Sequence, residues 1–227
     1  MTARSEPVSR RERPAKPALT RSGIIATAVR VMRAEGLQRV TMRRLAKELD
    51  TGPASLYVYV ANTTELHGAI LDELLGEVDL AAAGAGGDWR EGIEAVLASY
   101  THLLVQLPSL AQSALVARPS GTNYLNLLDA LLALLKQGGV PDDQAAWGVD
   151  TLLQVATASA AEHAGEDDAD GTEWKAVAAA VENASADQLP HVTALGSELL
   201  SGSPETRRRW TTRMLLNGIL HTPRDTS

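Results

Sequence analysis

Apolar residues recur at helical spacing along most of the chain, and strand-like alternating runs are absent. Ile24, Ala28, Val31 and Met32, supported by Ile25 and Val29, form one face of a helix that Thr20 can cap and Gly36 can end. Behind a second capping residue, Thr41, apolar Met42, Leu45, Ala46 and Leu49 fall at i, i+3, i+4 and i+7. Asp50-Thr51-Gly52-Pro53 then stops that helix and starts another over 53–60, with Gly free to take positive φ and Pro suited to a first helical turn. This third helix is too short to stand alone and predicts burial of Leu56 and Val60 against a neighbour. Asn62, with Glu65 three residues on, opens a longer helix through Leu66, Ile70, Leu71, Leu74, Leu75 and Val78 toward the glycines at 84–87. At about twenty residues it would span roughly 30 Å.

Further helices are expected over 88–107, 109–118, 121–137, 142–164, 172–183, 191–201 and 204–221, with breaks at Pro108, Gly138-Gly139 and the acidic loop 165–171. The glycines at 84–87 lack a preceding strand and the spacing of a phosphate-binding loop, so they read as a linker. The pair of short helices at 41–60, with small, polar and aromatic residues on its outer side, is a helix-turn-helix pattern.

Residues 38–66 resemble the DNA-binding region of the tetracycline-repressor (TetR) family of bacterial transcriptional regulators. The resemblance rests on Gly36-Leu37, Val40-Thr41, Arg43, Leu45-Ala46, Leu49, Ser55-Leu56-Tyr57, Tyr59-Val60, Asn62 and Glu65-Leu66, in the family's order and spacing. With the preceding helix it covers 19–75. It implies an all-α protein with an N-terminal three-helix helix-turn-helix domain (19–66) followed by a helical-bundle effector and dimerisation domain (67–227). In the family the fourth helix joins the two, and helices like those near 142–164 and 204–221 pair across a dimer. Here those two helices mix Ala145, Ala146, Val149, Leu152, Leu153 and Ala156 with Trp210, Met214, Leu215 and Ile219.

Charge sharpens the picture. The chain carries a net −7, yet residues 1–60 hold 12 of the 21 Lys and Arg and only 5 of the 28 Asp and Glu. A basic head on an acidic body suits a head that meets phosphate. Residues 1–18 read as disordered, with Arg4, Arg10, Arg11, Arg13 and Lys16 either an arm along DNA or a solubilising tail. The absence of cysteine excludes disulfides and cysteine-zinc sites, and no run of about twenty apolar residues predicts a membrane span. A cytoplasmic protein is the expectation.

On the DNA face, Ser55 can bond a base edge and Pro53 or Ala54 can touch a thymine methyl. Tyr57 and Tyr59 offer hydroxyls to phosphates, Thr41 and Arg44 are also expected to touch phosphate, and the resemblance makes Arg43 the guanine reader. Thr63 stands where the family usually has Lys, which removes one ionic contact and lowers the salt slope by about one unit. A single recognition helix reads few bases, so a homodimer on a palindromic operator is expected. In the body, His102, Asn123, Tyr124, Trp147 and His163 are the candidates for binding an unknown small-molecule effector, among apolar helices. No metal motif, nucleophile elbow or paired carboxylates occur, so neither a cofactor nor catalysis is expected. The alternative reading is a helical small-molecule- or protein-binding module whose helix-turn-helix no longer binds DNA.

Overall fold

The computed structural model describes residues 18–115, 119–164 and 172–224. The proposed N-terminal arm therefore lies outside the described residues, as does the loop 165–171. Eleven α-helices and no strand occur among the described residues. They are α1 (Arg21–Glu35), α2 (Met42–Glu48), α3 (Pro53–Leu56), α4 (Thr63–Leu75), α5 (Trp89–Val105), α6 (Pro108–Ala114), α7 (Thr122–Gln137), α8 (Asp142–Ala164), α9 (Thr172–Glu182), α10 (Pro190–Leu200) and α11 (Pro204–His221). None of them is long and apolar enough to cross a membrane.

The caps explain where the head's helices begin. Thr20 and Thr41 accept the backbone N–H of Gly23 and Arg44, both at 3.1 Å. Asn62 accepts from Glu65 N–H at 2.8 Å, while the Glu65 carboxylate accepts from Ala61 N–H at 2.7 Å, one residue before the usual capping-box donor. Ile24, Ala28, Leu45, Leu56, Val60 and Leu66 are all buried, so α1, α2 and α3 share one core with the start of α4. That core holds α3, which is a single turn rather than a helix over 53–60. The chain continues as turns closed by Tyr59 and Val60 N–H onto the Leu56 carbonyl.

α4 packs on α1 at one side and on α7 and α6 at the other, so the expected boundary at 66 falls inside one helix. It ends at Leu75, short of the expected run through Val78, and its 13 residues span roughly 20 Å. The cause lies on α7. The Asn123 side-chain amide donates to the Asp72 carbonyl at 2.9 Å, which would otherwise take the Gly76 N–H, and that N–H turns to Glu73. Val78 is still buried, but on a turn.

In the body, α5 and α8 form the central pair, with α7, α6 and α11 around them. Ile93, Leu104, Leu127, Leu131 and Leu152 fill the space between. One buried polar contact crosses it, Tyr100 Oη to Thr157 Oγ1 at 2.7 Å. Pro108 opens α6 instead of merely breaking the chain, as a first-turn proline can. α9 and α10 pack against each other as a hairpin with no buried residue on α10.

Candidate nucleic-acid interface and effector cleft

Two adjacent arginines on α2 have opposite fates. Arg44 turns back into the head: its guanidinium meets Glu35 at 2.6 and 3.3 Å and Glu48 at 2.7 Å. Arg30 adds a longer contact to Glu48 at 3.4 Å. The hydrogen bonds from Arg44 hold both carboxyls below their ordinary range, and the two carboxylates raise the guanidinium further. Arg44 is thus a brace between α1 and α2, and its expected phosphate contact would require giving up a carboxylate. Arg43, one residue earlier and about 100° around the helix, is exposed and makes no ion pair or hydrogen bond among the described residues. It is available for a nucleic acid.

Depressed carboxyl values give a pH prediction. A carboxylate held low when folded contributes stability that is present above its unfolded value and lost as pH falls through the lowered folded one. Acidification below about pH 4.5 should therefore loosen the α1–α2 contact. Hydrogen exchange of the α2 amides across pH 3–6 would check this, and the double variant Glu35→Gln/Glu48→Gln should flatten the profile.

Beside Arg43, α3 presents Pro53, Ala54, Ser55 and Tyr57 to solvent, with Leu56 and Val60 turned inward. Tyr59 is only half exposed and packs on the core, leaving less of it to reach a phosphate than Tyr57 offers. Thr41 spends one lone pair on its cap, and Thr63 is exposed at the first position of α4. Apart from the inward-turned Arg44, the expected DNA residues thus fall at α2, at α3 with the turn after it, and at the start of α4.

A cleft of about 900 Å³ opens in the body between α5, α8, α9 and α11. Leu97, Leu152, Val155, Ala156 and Leu215 form apolar walls, and Thr101, Ser159, Glu162, Arg207 and Arg208 supply polar groups. Trp174 stands at its edge with the Arg207 guanidinium 5.5 Å from the ring centre.

None of the expected effector contacts whose side chains are described lines this cleft. His102 is exposed and pairs with Gln106 one turn along α5 at 2.8 Å. Asn123 and Tyr124 join α7 to α4, the first by its side chain and the second by donating its backbone N–H to Asp72 Oδ1 at 2.9 Å. Trp147 is 60% exposed in a separate groove between α8 and α11, under the Arg224 guanidinium at 3.8 Å. His163 falls on α8, but its side chain is outside the described residues. Sequence reasoning missed Arg207 and Arg208, although a signal existed. Cations in the opening turns of α11 oppose the helix dipole, a local conflict that needs another reason. No group of three or more metal-binding side chains occurs among the described residues.

Comparison with known proteins settles the family. The model described as bacterial regulatory proteins, tetR family, matches residues 24–70, and the tetracyclin repressor-like C-terminal domain matches 82–221. The chain belongs to the tetracycline-repressor family. A transcription-regulator structure from Streptomyces coelicolor superposes with a TM-score of 0.80 at 54% identity, covering 93% of this chain and all of that one. ActR of the same organism, crystallised with actinorhodin, gives 0.77 at 30% identity over 89% of this chain and 97% of its own. The transcriptional repressor DrrR1 of Streptomyces coeruleorubidus is 33% identical over 129 residues, 57% of this chain and 48% of the relative. The chain thus spans about half the length of the curated relatives it matches. Both the helix-turn-helix head and the helical body of this TetR-family chain thus fall within the family matches.

Proposed function

We propose that this regulator is a homodimeric repressor that leaves a palindromic operator when a small molecule occupies the cleft between α5, α8 and α11. The observation that carries this reading is the joining of an exposed, unpaired arginine on α2 and a ligand-sized cleft through one helix, α4, that packs on both halves. Supporting it, the relative DrrR1 is a repressor and ActR crystallises with small molecules. A ligand acts only through differential affinity: it must prefer the head spacing that does not fit two half-sites about 34 Å apart. Equal affinity for both spacings would release nothing.

The dimer reading draws on α8 and α11. Ala145, Val149, Leu152, Leu153 and Ala156 are used up in the protomer's own core, where Gly148 lets Ile219 approach so closely that a β-carbon would lie 2.7 Å away. The outer face keeps Trp147, Trp210 and Met214, the indoles at 60% and 65% exposure. Three large apolar side chains on one two-helix face are what a self-complementary interface supplies. Met214→Asp should raise the dimer dissociation constant about 100-fold or more, since one buried uncompensated charge costs about 3–5 kcal/mol, as read by analytical ultracentrifugation. An unchanged constant would place the interface elsewhere.

The decisive test is footprinting on DNA flanking the protein's own gene at two salt concentrations. A protected palindrome whose affinity falls steeply with salt is the expected result. Absence of protection in flanking and genome-wide selected DNA, with a folded dimer in hand, would overturn the repressor reading in favour of a module whose head has lost DNA.

A further inference from the structure

The cleft places two guanidiniums, Arg207 and Arg208, above its apolar walls. Arg207 donates from Nε to the Ser201 carbonyl at 2.9 Å and from Nη2 to the Ser201 and Leu199 carbonyls at 2.7 and 2.5 Å. Carbonyl oxygens satisfy its donors without cancelling its charge. Arg208 is half-buried and has no hydrogen bond or ion pair among the described residues. The nearby Glu94 is already committed to Arg209 and Arg213 at 2.7 and 2.6 Å. Glu91 and Glu205 line an adjoining pocket that shares Leu97, Arg208 and Thr212 with the cleft, and neither forms an ion pair with Arg208. Within the cleft lining, Glu162 is the one carboxylate against two guanidiniums, which leaves a surplus of one positive charge above apolar walls.

We propose that the effector is an amphipathic anion, with an apolar ring-sized body in the cleft against α5, α8 and α11 and an acidic group held by Arg208. A partly desolvated guanidinium without a counter-ion gains most from a planar anion, because its forked donors match two oxygens at once. The apolar walls of Leu97, Leu152, Val155 and Leu215 take the body of the ligand by area alone. Trp174 adds an aromatic ring to the lining, with Arg207 lying against it. A neutral ligand of the same shape would leave Arg208 dehydrated and unpaired, so the cleft discriminates by charge as well as by shape. This assignment rests on the reading of the cleft as the effector site.

Two matched dyes separate the ideas when titrated into the full-length protein: anionic 8-anilinonaphthalene-1-sulfonate and its uncharged analogue N-phenyl-1-naphthylamine. The sulfonate should bind about ten-fold more tightly, and Arg208→Gln should weaken it about 10- to 100-fold, the range of a charge-assisted hydrogen bond. The neutral dye should change less than about two-fold, and Arg208→Lys should recover part of the sulfonate's affinity. Ala158→Phe, on the exposed rim of the cleft, should exclude both dyes. Equal affinity for the two dyes, or a sulfonate indifferent to Arg208→Gln, would overturn the anionic assignment while leaving the cleft a ligand site. Binding of neither dye, or of both unaffected by Ala158→Phe, would overturn the cleft reading itself and the proposal with it.

Discussion

Arg43→Ala should weaken binding to the operator by roughly 30-fold to more than 10,000-fold while leaving the protein's thermal stability unchanged. The range follows from about 1–3 kcal/mol for a bidentate arginine–guanine contact, counted once in each half-site of a dimer. Stability is spared because Arg43 is exposed and has no partner among the described residues to lose. Arg44→Ala should do the reverse. It strands Glu35 and Glu48 beside each other without their shared cation, so the head loosens, and DNA binding falls only as far as the head unfolds. Arg43→Lys keeps the charge but not the fork. It should retain phosphate-driven, salt-dependent binding and lose discrimination at one base position. Competition binding against single-base operator variants, beside thermal melts, reads both effects. Tight and selective binding by Arg43→Ala would sink the assignment of the DNA face.

That contrast also marks what can be read from a sequence and what cannot. Helix starts were legible because Thr20, Thr41 and Asn62 each announce a cap in local chemistry, and all three accept the expected backbone N–H. The buried positions of the head were legible because helical periodicity forces them. Arg43 and Arg44 are chemically identical and adjacent. What separates them is Glu35, which the turn at Leu37–Arg39 brings back to only one of the two. The end of α4 was hidden for the same reason, since Asn123, remote in sequence, takes the Asp72 carbonyl. The cleft is harder still. Its walls come from four helices whose mutual rotation decides whether Thr101 or His102 faces inward, and periodicity within one helix carries no such information.

Gly121→Ala should disconnect the body from the head. α7 begins at Gly121, which has no side chain to cap it, and the missing acceptor comes from α4: Asp72 Oδ1 takes the Tyr124 N–H at 2.9 Å. In return Asn123 donates to the Asp72 carbonyl, so a single residue of α4 is held at both its side chain and its backbone. A β-carbon on Gly121 would lie 2.0 Å from Asp72 Oδ2 and 2.2 Å from Cγ, and the short aspartate side chain cannot move aside without releasing Tyr124. Losing that cap should cost about 0.5–2 kcal/mol, or roughly 1–8 °C in melting temperature for a chain of this size. The functional consequence is larger. If ligand-driven movement of the body reaches the head through α4, the joint at Asp72 is where it must be transmitted, and a coupling of about 1–3 kcal/mol passes through it. Gly121→Ala and Asp72→Ala should both still repress a reporter gene yet lose about 5- to 150-fold of response to whichever compound releases the wild type. Asp72→Asn, which keeps an oxygen acceptor, should retain most of the response. Faster amide exchange confined to the start of α7 and the end of α4 would locate the damage at the joint. Full induction by Gly121→Ala with a lowered melting temperature would show that Asp72 stabilises the body but carries no signal.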